Sequence, residues 1–154
     1  MGVAAVLFDG HAGLREFTRW VVDPAVVEEW KRADNSQKVI HQAELLPTLA
    51  AVHIWKEELR GRRWIAFIDN DGARAALIGG TSRSRVSAGM VGAFWREAAA
   101  ASSFPWLERV PSPSNVADPP SRGDEGWLRR NGFRRRRWEE PPWAFRSGGE
   151  GRNK

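Results

Sequence analysis

The chain has 154 residues, 42% hydrophobic and 28% charged, which suits one domain with its own core and excludes a wholly disordered chain. It contains no cysteine, so neither a disulfide framework nor a thiolate zinc site is possible and a reducing compartment fits. The net charge of +5 is unevenly placed: residues 1–121 carry 14 Lys or Arg against 14 Asp or Glu, and residues 122–154 carry 10 against 5, so the C-terminal segment holds all the excess.

Residues 3–8 form a short apolar run stopped by Asp9-Gly10, the pattern of a buried strand entering a turn. Residues 14–22 mix polar with β-branched and aromatic types, as the more exposed strand of the same hairpin would, and Pro24 ends them. Residues 24–38 read as a polar connection, with Asp34, Asn35 and Ser36 as candidate caps for the helix that follows. Over residues 38–59 the apolar positions recur at helical spacing. Val39, Ala43, Leu46, Ala50 and Ile54 make one stripe, with Ile40 and Trp55 beside it. Glu44 lies next to the stripe, where its carboxylate can reach inward. Pro47 removes a hydrogen bond from the helix interior, so the regular helix starts near Gln42 or kinks.

Trp64-Ile65-Ala66-Phe67-Ile68 follows Arg62-Arg63 as a continuous apolar run and predicts a strand covered on both faces. Asp69, Asn70, Asp71 and Gly72 come at its carboxyl end, which is the ligand-binding end in open α/β sheets. Residues 73–78 predict a short helix, Gly79-Gly80-Thr81-Ser82 a loop, residues 86–101 a second, alanine-rich helix, and residues 104–110 a last strand. Pro111, Pro113, Pro119 and Pro120 then impose a stiff turn around Asp118. Strands separated by helices imply an α/β domain, a mixed sheet with flanking helices.

Glu44 on a helix, Asp69 at a strand end and Asp118 after a Pro-rich turn are three carboxylates in three local settings. Brought together they would repel, and a hard cation such as Mg²⁺ is the usual reason to tolerate them. The plain alternative is three surface charges among 19 acidic residues. Arg129-Arg130 and Arg134-Arg135-Arg136-Arg137, interleaved with Trp127, Phe133, Trp138 and Trp143, suit phosphates and bases. A solvated basic tail or a nuclear-localisation signal accounts for the same residues. Asp69-Asn70-Asp71-Gly72 lacks the ligand spacing of a calcium loop, and Gly79-Gly80-Thr81-Ser82 lacks the Gly-Lys-Ser/Thr ending of a nucleotide-phosphate loop. The N-terminus shows no basic segment followed by a long apolar run, and no stretch approaches the roughly 18 apolar residues of a membrane helix. The expectation is a soluble, unsecreted protein, cytoplasmic or nuclear, with no membrane partner.

Taken in order, Gln42-Ala43-Glu44-Leu45, Phe67-Ile68-Asp69-Asn70 and the run from Glu108 through Ser114-Asn115-Val116-Ala117-Asp118-Pro119-Pro120-Ser121-Arg122 resemble the ribonuclease H-like domain that follows the reverse transcriptase in certain retrotransposons. The resemblance covers roughly residues 2–122, so residues 1–122 are expected as a ribonuclease H-like domain and residues 123–154 as a flexible, basic, Trp/Arg-rich tail. It implies cleavage of the RNA strand of an RNA–DNA hybrid, with two Mg²⁺ ions held by Glu44, Asp69 and Asp118 as catalytic residues and metal ligands. Arg122, Arg129, Arg130, Arg134, Arg135, Arg136 and Arg137 are the expected nucleic-acid contacts.

One departure from the family pattern matters. The family carries a further Asp on a first, central strand upstream of the segment that residues 2–8 resemble, and this chain begins after it. Asp9 matches a turn and is expected to lie apart from the other carboxylates, while His11, His41 and His53 are ordinary turn or helix residues. Asn70 and Asp71 are candidate supports for the ligands, with Asp71-Gly72 equally a simple turn; Asn115 is expected to fix the loop, and Ser121 and Arg122 to cap the last helix or touch a phosphate, the structural role being the plainer one for all three. A sheet without its first central strand implies weaker metal binding, impaired activity and unpaired backbone groups, unless the tail, a partner or an upstream reverse-transcriptase segment fills the gap. The alternatives are a catalytically inactive nucleic-acid-binding module using the same groove, or a fragment without function.

Overall fold

The computed structural model describes residues 1–137. β1 (Gly2–Asp9) and β2 (Leu14–Val21) pair antiparallel, from Gly2 opposite Val21 to Asp9 opposite Leu14. Asp9 fixes the turn between them by accepting from the backbone N–H groups of His11 and Ala12 at 3.0 and 3.1 Å. This is the local hydrogen bonding that makes Asp a turn residue.

Helix α1 (Pro24–Asp34) occupies the segment expected as a polar connection. Asp23 caps it by accepting from the Ala25 N–H at 2.8 Å, and Pro24 sits in the first turn, where a missing N–H does no harm. Trp30 is fully buried, with Val26 and Val27 packed against the same core. Val26, Val27, Trp30 and Ala33 stand at helical spacing, so that stripe and the Asp-Pro start were the available signals. Asn35, expected as a cap for the next helix, ends this one at φ 47°. Asp34 caps nothing. It accepts from Ser84 Oγ, from Gln42 Nε2 at 2.6 Å and from the Val86 N–H at 3.3 Å, joining the end of α1 to two later helices. Burial pushes its carboxyl upward, and the Ser84, Val86 and Gln42 hydrogen bonds outweigh it and hold the carboxyl below its usual range.

The helix expected over residues 38–59 is two helices, α2 (Ile40–Ile54) and α3 (Lys56–Leu59), and α2 runs through Pro47. Its buried residues include Leu45, Leu46, Leu49, Ala50 and Val52, while Ala43 falls on a second, half-covered face. β3 (Arg63–Ile68) and β4 (Phe104–Arg109) pair parallel, Arg63 opposite Phe104 and Ile68 opposite Arg109. A parallel pair needs a long crossover, which is supplied by α4 (Asp71–Gly79) and α5 (Arg85–Ala100). Both are capped by side chains: Asn70, expected as a support for the metal ligands, accepts from the Ala73 N–H, and Ser84 from the Ser87 N–H.

The main core gathers Val3 and Ala5 of β1, the buried residues of α2, Ala66 and Ile68 of β3, and Val91 and Phe94 of α5. Phe94 meets Trp95 edge-on at 5.1 Å between ring centres. These helices cover one face of the β3–β4 pair. On the opposite face Ile65, Phe67, Phe104 and Trp106 are 57, 62, 62 and 67% exposed, so β3 is not covered on both sides as its apolar run predicts.

After a 3₁₀ turn at Ser112–Ser114 come α6 (Asp118–Ser121), α7 (Gly126–Arg130) and β5 (Arg134–Arg135), the last parallel to β2. Leu128 and Phe133 are buried against Phe17 of β2. Residues 123–137 therefore belong to the folded unit, and position 122 does not divide body from tail. Trp138, Trp143 and the rest of residues 138–154 lie outside the described residues.

The protein is thus mixed α/β. The one mixed sheet expected from the sequence is two sheets among the described residues, β1-β2-β5 and β3-β4. No helix among the described residues is long and apolar enough to cross a membrane.

Leu128 is the test of the C-terminal attachment. Leu128→Ala is expected to lower stability in urea by about 2–5 kcal/mol, the usual range for a buried Leu, and to speed amide exchange at Arg134–Arg135. Unchanged exchange there would mean that β5 is held independently of α7.

Candidate functional site

The two sheets are separated by a cavity of about 630 Å³. Consecutive residues 1–7 and 64–69 line it, so the main-chain edges of β1 and β3 form its walls, and one side of α2 (Ala43, Pro47, Ala51) forms its floor. The strands run in opposite directions. At one end Arg62, just before β3, bonds to Asp9 at the close of β1. At the other, α6 packs on the start of β1 so tightly that a Cβ on Gly2 would lie 2.0 Å from the Ser121 carbonyl oxygen. Only glycine allows that approach.

Glu44, Asp69 and Asp118 all line this cavity. Each stands where the sequence predicts locally: Glu44 inside α2, Asp69 directly after β3, and Asp118 as the first residue of α6. Their mutual effect is registered at Glu44. Half-burial first, then the charges of Asp69 and Asp118, push the Glu44 carboxyl above its ordinary value of 4.5. The carboxylates therefore feel one another, yet among the described residues no three His, Asp or Glu side chains are gathered closely enough to ligate a single ion. Asp118 has a partner of its own in Arg122 Nη2 at 3.1 Å.

The neighbouring residues are structural. Asn70 caps α4, Asp71 pairs with Arg109 Nε at 3.1 Å, Asn115 accepts from the Ala117 N–H at 3.0 Å, and Ser121 donates its hydroxyl to the Asp118 carbonyl at 2.7 Å. The last two set the loop and short helix that carry Asp118. Asp9 lies at the far end of the groove, apart from the three carboxylates. His41 shares a hydrogen bond with Ser87 Oγ at 2.9 Å and His53 one with Glu97 at 3.2 Å, so neither joins the site.

The arginines expected to meet nucleic acid divide into two groups. Arg129 and Arg135 both pair with Glu125, at 2.6 and 3.3 Å, and Arg136 pairs with Glu16 at 3.2 Å and with Glu58. Arg130, Arg134 and Arg137 are exposed. Sequence reading did not find these acidic partners: Glu125, just before α7, meets Arg129 four residues on, and Glu16 of β2 and Glu58 of α3 are brought to Arg136 by the fold. It also did not find the groove floor. Ile40, Ala43, Pro47 and Ala51 lie three or four residues apart, a second helical stripe beside the first, and that spacing was the available signal.

No described protein family, curated protein or solved structure matches the chain.

Two variants test this geometry. A carboxyl whose value is raised on folding takes up a proton in the folded state, so its destabilising effect appears as pH rises through the window above 4.5 and is absent below it. In EDTA, Glu44→Gln is therefore expected to raise the thermal midpoint at pH 7, and the gain is expected to shrink toward pH 4. A gain independent of pH would show that charge is not its source. Gly2→Ala is expected to displace α6 and lower the midpoint, because backbone and not a flexible side chain must give way.

Proposed function

We propose that this chain is a ribonuclease H-like nuclease domain of retroelement type, in which Glu44, Asp69 and Asp118 hold divalent metal for cutting the RNA strand of an RNA–DNA hybrid, with reduced activity in this chain. The observation that carries the reading is that three carboxylates from three separate elements line one groove and raise the proton affinity of the one on α2. The donor set fits the metal: all the candidate ligands are hard anionic oxygens, as Mg²⁺ requires.

Bound Mg²⁺ would activate a water for in-line attack on phosphorus and stabilise the leaving 3′ oxygen. The chain's own residues prepare the place. Asn115 and Ser121 fix the turn that presents Asp118, Asn70 starts α4 immediately after Asp69, and α2 carries Glu44 on the groove that both line. Exposed Arg130, Arg134 and Arg137 supply positive charge for a phosphate backbone. Three carboxylates leave two cations short of anionic ligands, which is why the activity is reduced.

One observation favours a second reading, a catalytically inactive nucleic-acid-binding module. Arg122 Nη2 pairs with Oδ1 of Asp118 and offsets part of the negative charge a metal would need there.

A labelled RNA–DNA hybrid incubated with Mg²⁺ or EDTA separates the two. The nuclease reading expects Mg²⁺-dependent cleavage of the RNA strand, falling on the order of 10²-fold in Glu44→Gln and Asp69→Asn. Tight hybrid binding with no Mg²⁺-dependent cutting would establish the module instead, and cleavage unchanged in both variants would remove the three carboxylates from the mechanism.

A further inference from the structure

We infer that the groove between β1 and β3 is a receptor for an extended apolar strand supplied from outside residues 1–154. Each wall is a strand with a partner on one side only among the described residues. β1 is paired with β2 and β3 with β4, while no pairing joins β1 to β3. The walls are lined by consecutive residues, 1–7 and 64–69, so the groove presents two rows of main-chain N–H and C=O groups to the same space. Side chains alone would favour any apolar ligand. Two facing main-chain edges favour a third strand, the one ligand whose own backbone can bond to both.

The lining specifies the strand further. The floor is the small-residue side of α2, where Ala43, Pro47 and Ala51 leave room for large side chains pointing down. On the outer face, Ile65 and Phe67 stand exposed along β3. The incoming segment is therefore apolar on its inner face and tolerates apolar residues on its outer one, as strands buried within a sheet do. Its length follows β3, six residues, about 20 Å at the usual rise. Because β1 and β3 oppose each other in direction, the strand lies parallel to one and antiparallel to the other.

The chain does not supply this segment itself. All five described strands are placed elsewhere, and the sequence after Arg137 has no run of six residues free of Pro and Gly. A second copy offers only the same elements. That leaves an apolar strand from outside residues 1–154 as the source. The proposal is independent of the metal reading, and its test is run in EDTA so that the two fail separately.

The probe is an end-blocked peptide, Lys-Thr-Val-Thr-Val-Thr-Val-Lys, added at about 1 mM to the full chain, with the same peptide tethered ahead of Met1 through a Gly/Ser linker as a second arm at comparable effective concentration. Amide exchange is read strand by strand. Protection at both β1 and β3, on the order of tenfold or more, is expected in at least the tethered arm. It is expected to vanish when every Val of the peptide is replaced by Pro, and to weaken when Ala51→Trp fills the floor. The inference is overturned by unchanged exchange at β1 and β3 in both arms, by equal protection from the Pro peptide, or by protection confined to the outer edge of β4 or β5.

Discussion

The structure turns on α2 being apolar on two sides. Leu45, Leu46, Leu49 and Val52 are buried, each contributing on the order of 1.5–3 kcal/mol, and they bring α2 against α5 and α4 as well as β1. The second side, Ile40, Ala43, Pro47 and Ala51, faces the space between the sheets. A helix apolar over most of its circumference belongs in an interior. Here the two sheets flank that second side without closing over it, and the groove, the carboxylate cluster and the unpaired strand edges all follow.

The C-terminal basic segment is a fastening as well as a charged surface. Glu125, largely buried, gathers Arg129, Arg135 and Arg19, the last at 3.6 Å. Burial pushes its carboxyl upward, and the three guanidinium groups hold it below the usual range. Arg136 ties the end of β5 to Glu16 of β2 and Glu58 of α3, and its backbone N–H donates to the Phe17 carbonyl at 2.7 Å. Exposed ion pairs stabilise little one by one. Backed by Leu128 and Phe133 on Phe17, they complete the β1-β2-β5 sheet.

What was legible in the sequence was local. Apolar runs stopped by turn residues marked β1, β2, β3 and β4. Residue type and chain setting also placed Glu44, Asp69 and Asp118 on a helix, a strand end and a turn. What was not legible depends on distance through space. An apolar run such as residues 64–68 reads the same whether one face or both are covered, because hydrophobicity records suitability for burial and not its outcome. Helix α1 hid behind a surface rich in charge, although Val26, Val27, Trp30 and Ala33 carry its period. The Arg129–Glu125 pair is a local i,i+4 contact, but Arg136 pairs with Glu16 across 120 positions, and no local pattern encodes that. The same holds for the shared groove of the three carboxylates, which is set by how far β1 stands from β3.

The uncovered side of the β3–β4 pair has a colloidal consequence. Ile65, Phe67, Phe104 and Trp106 form a flat, sticky facet bordered by free strand margins, the kind of surface on which identical molecules stack. The overall charge of +5 opposes such stacking through repulsion that reaches about 10 Å at 0.1 M salt and about 3 Å at 1 M. Added salt shortens that repulsion and so lets the apolar facet, rather than the net charge, set how the molecules approach one another.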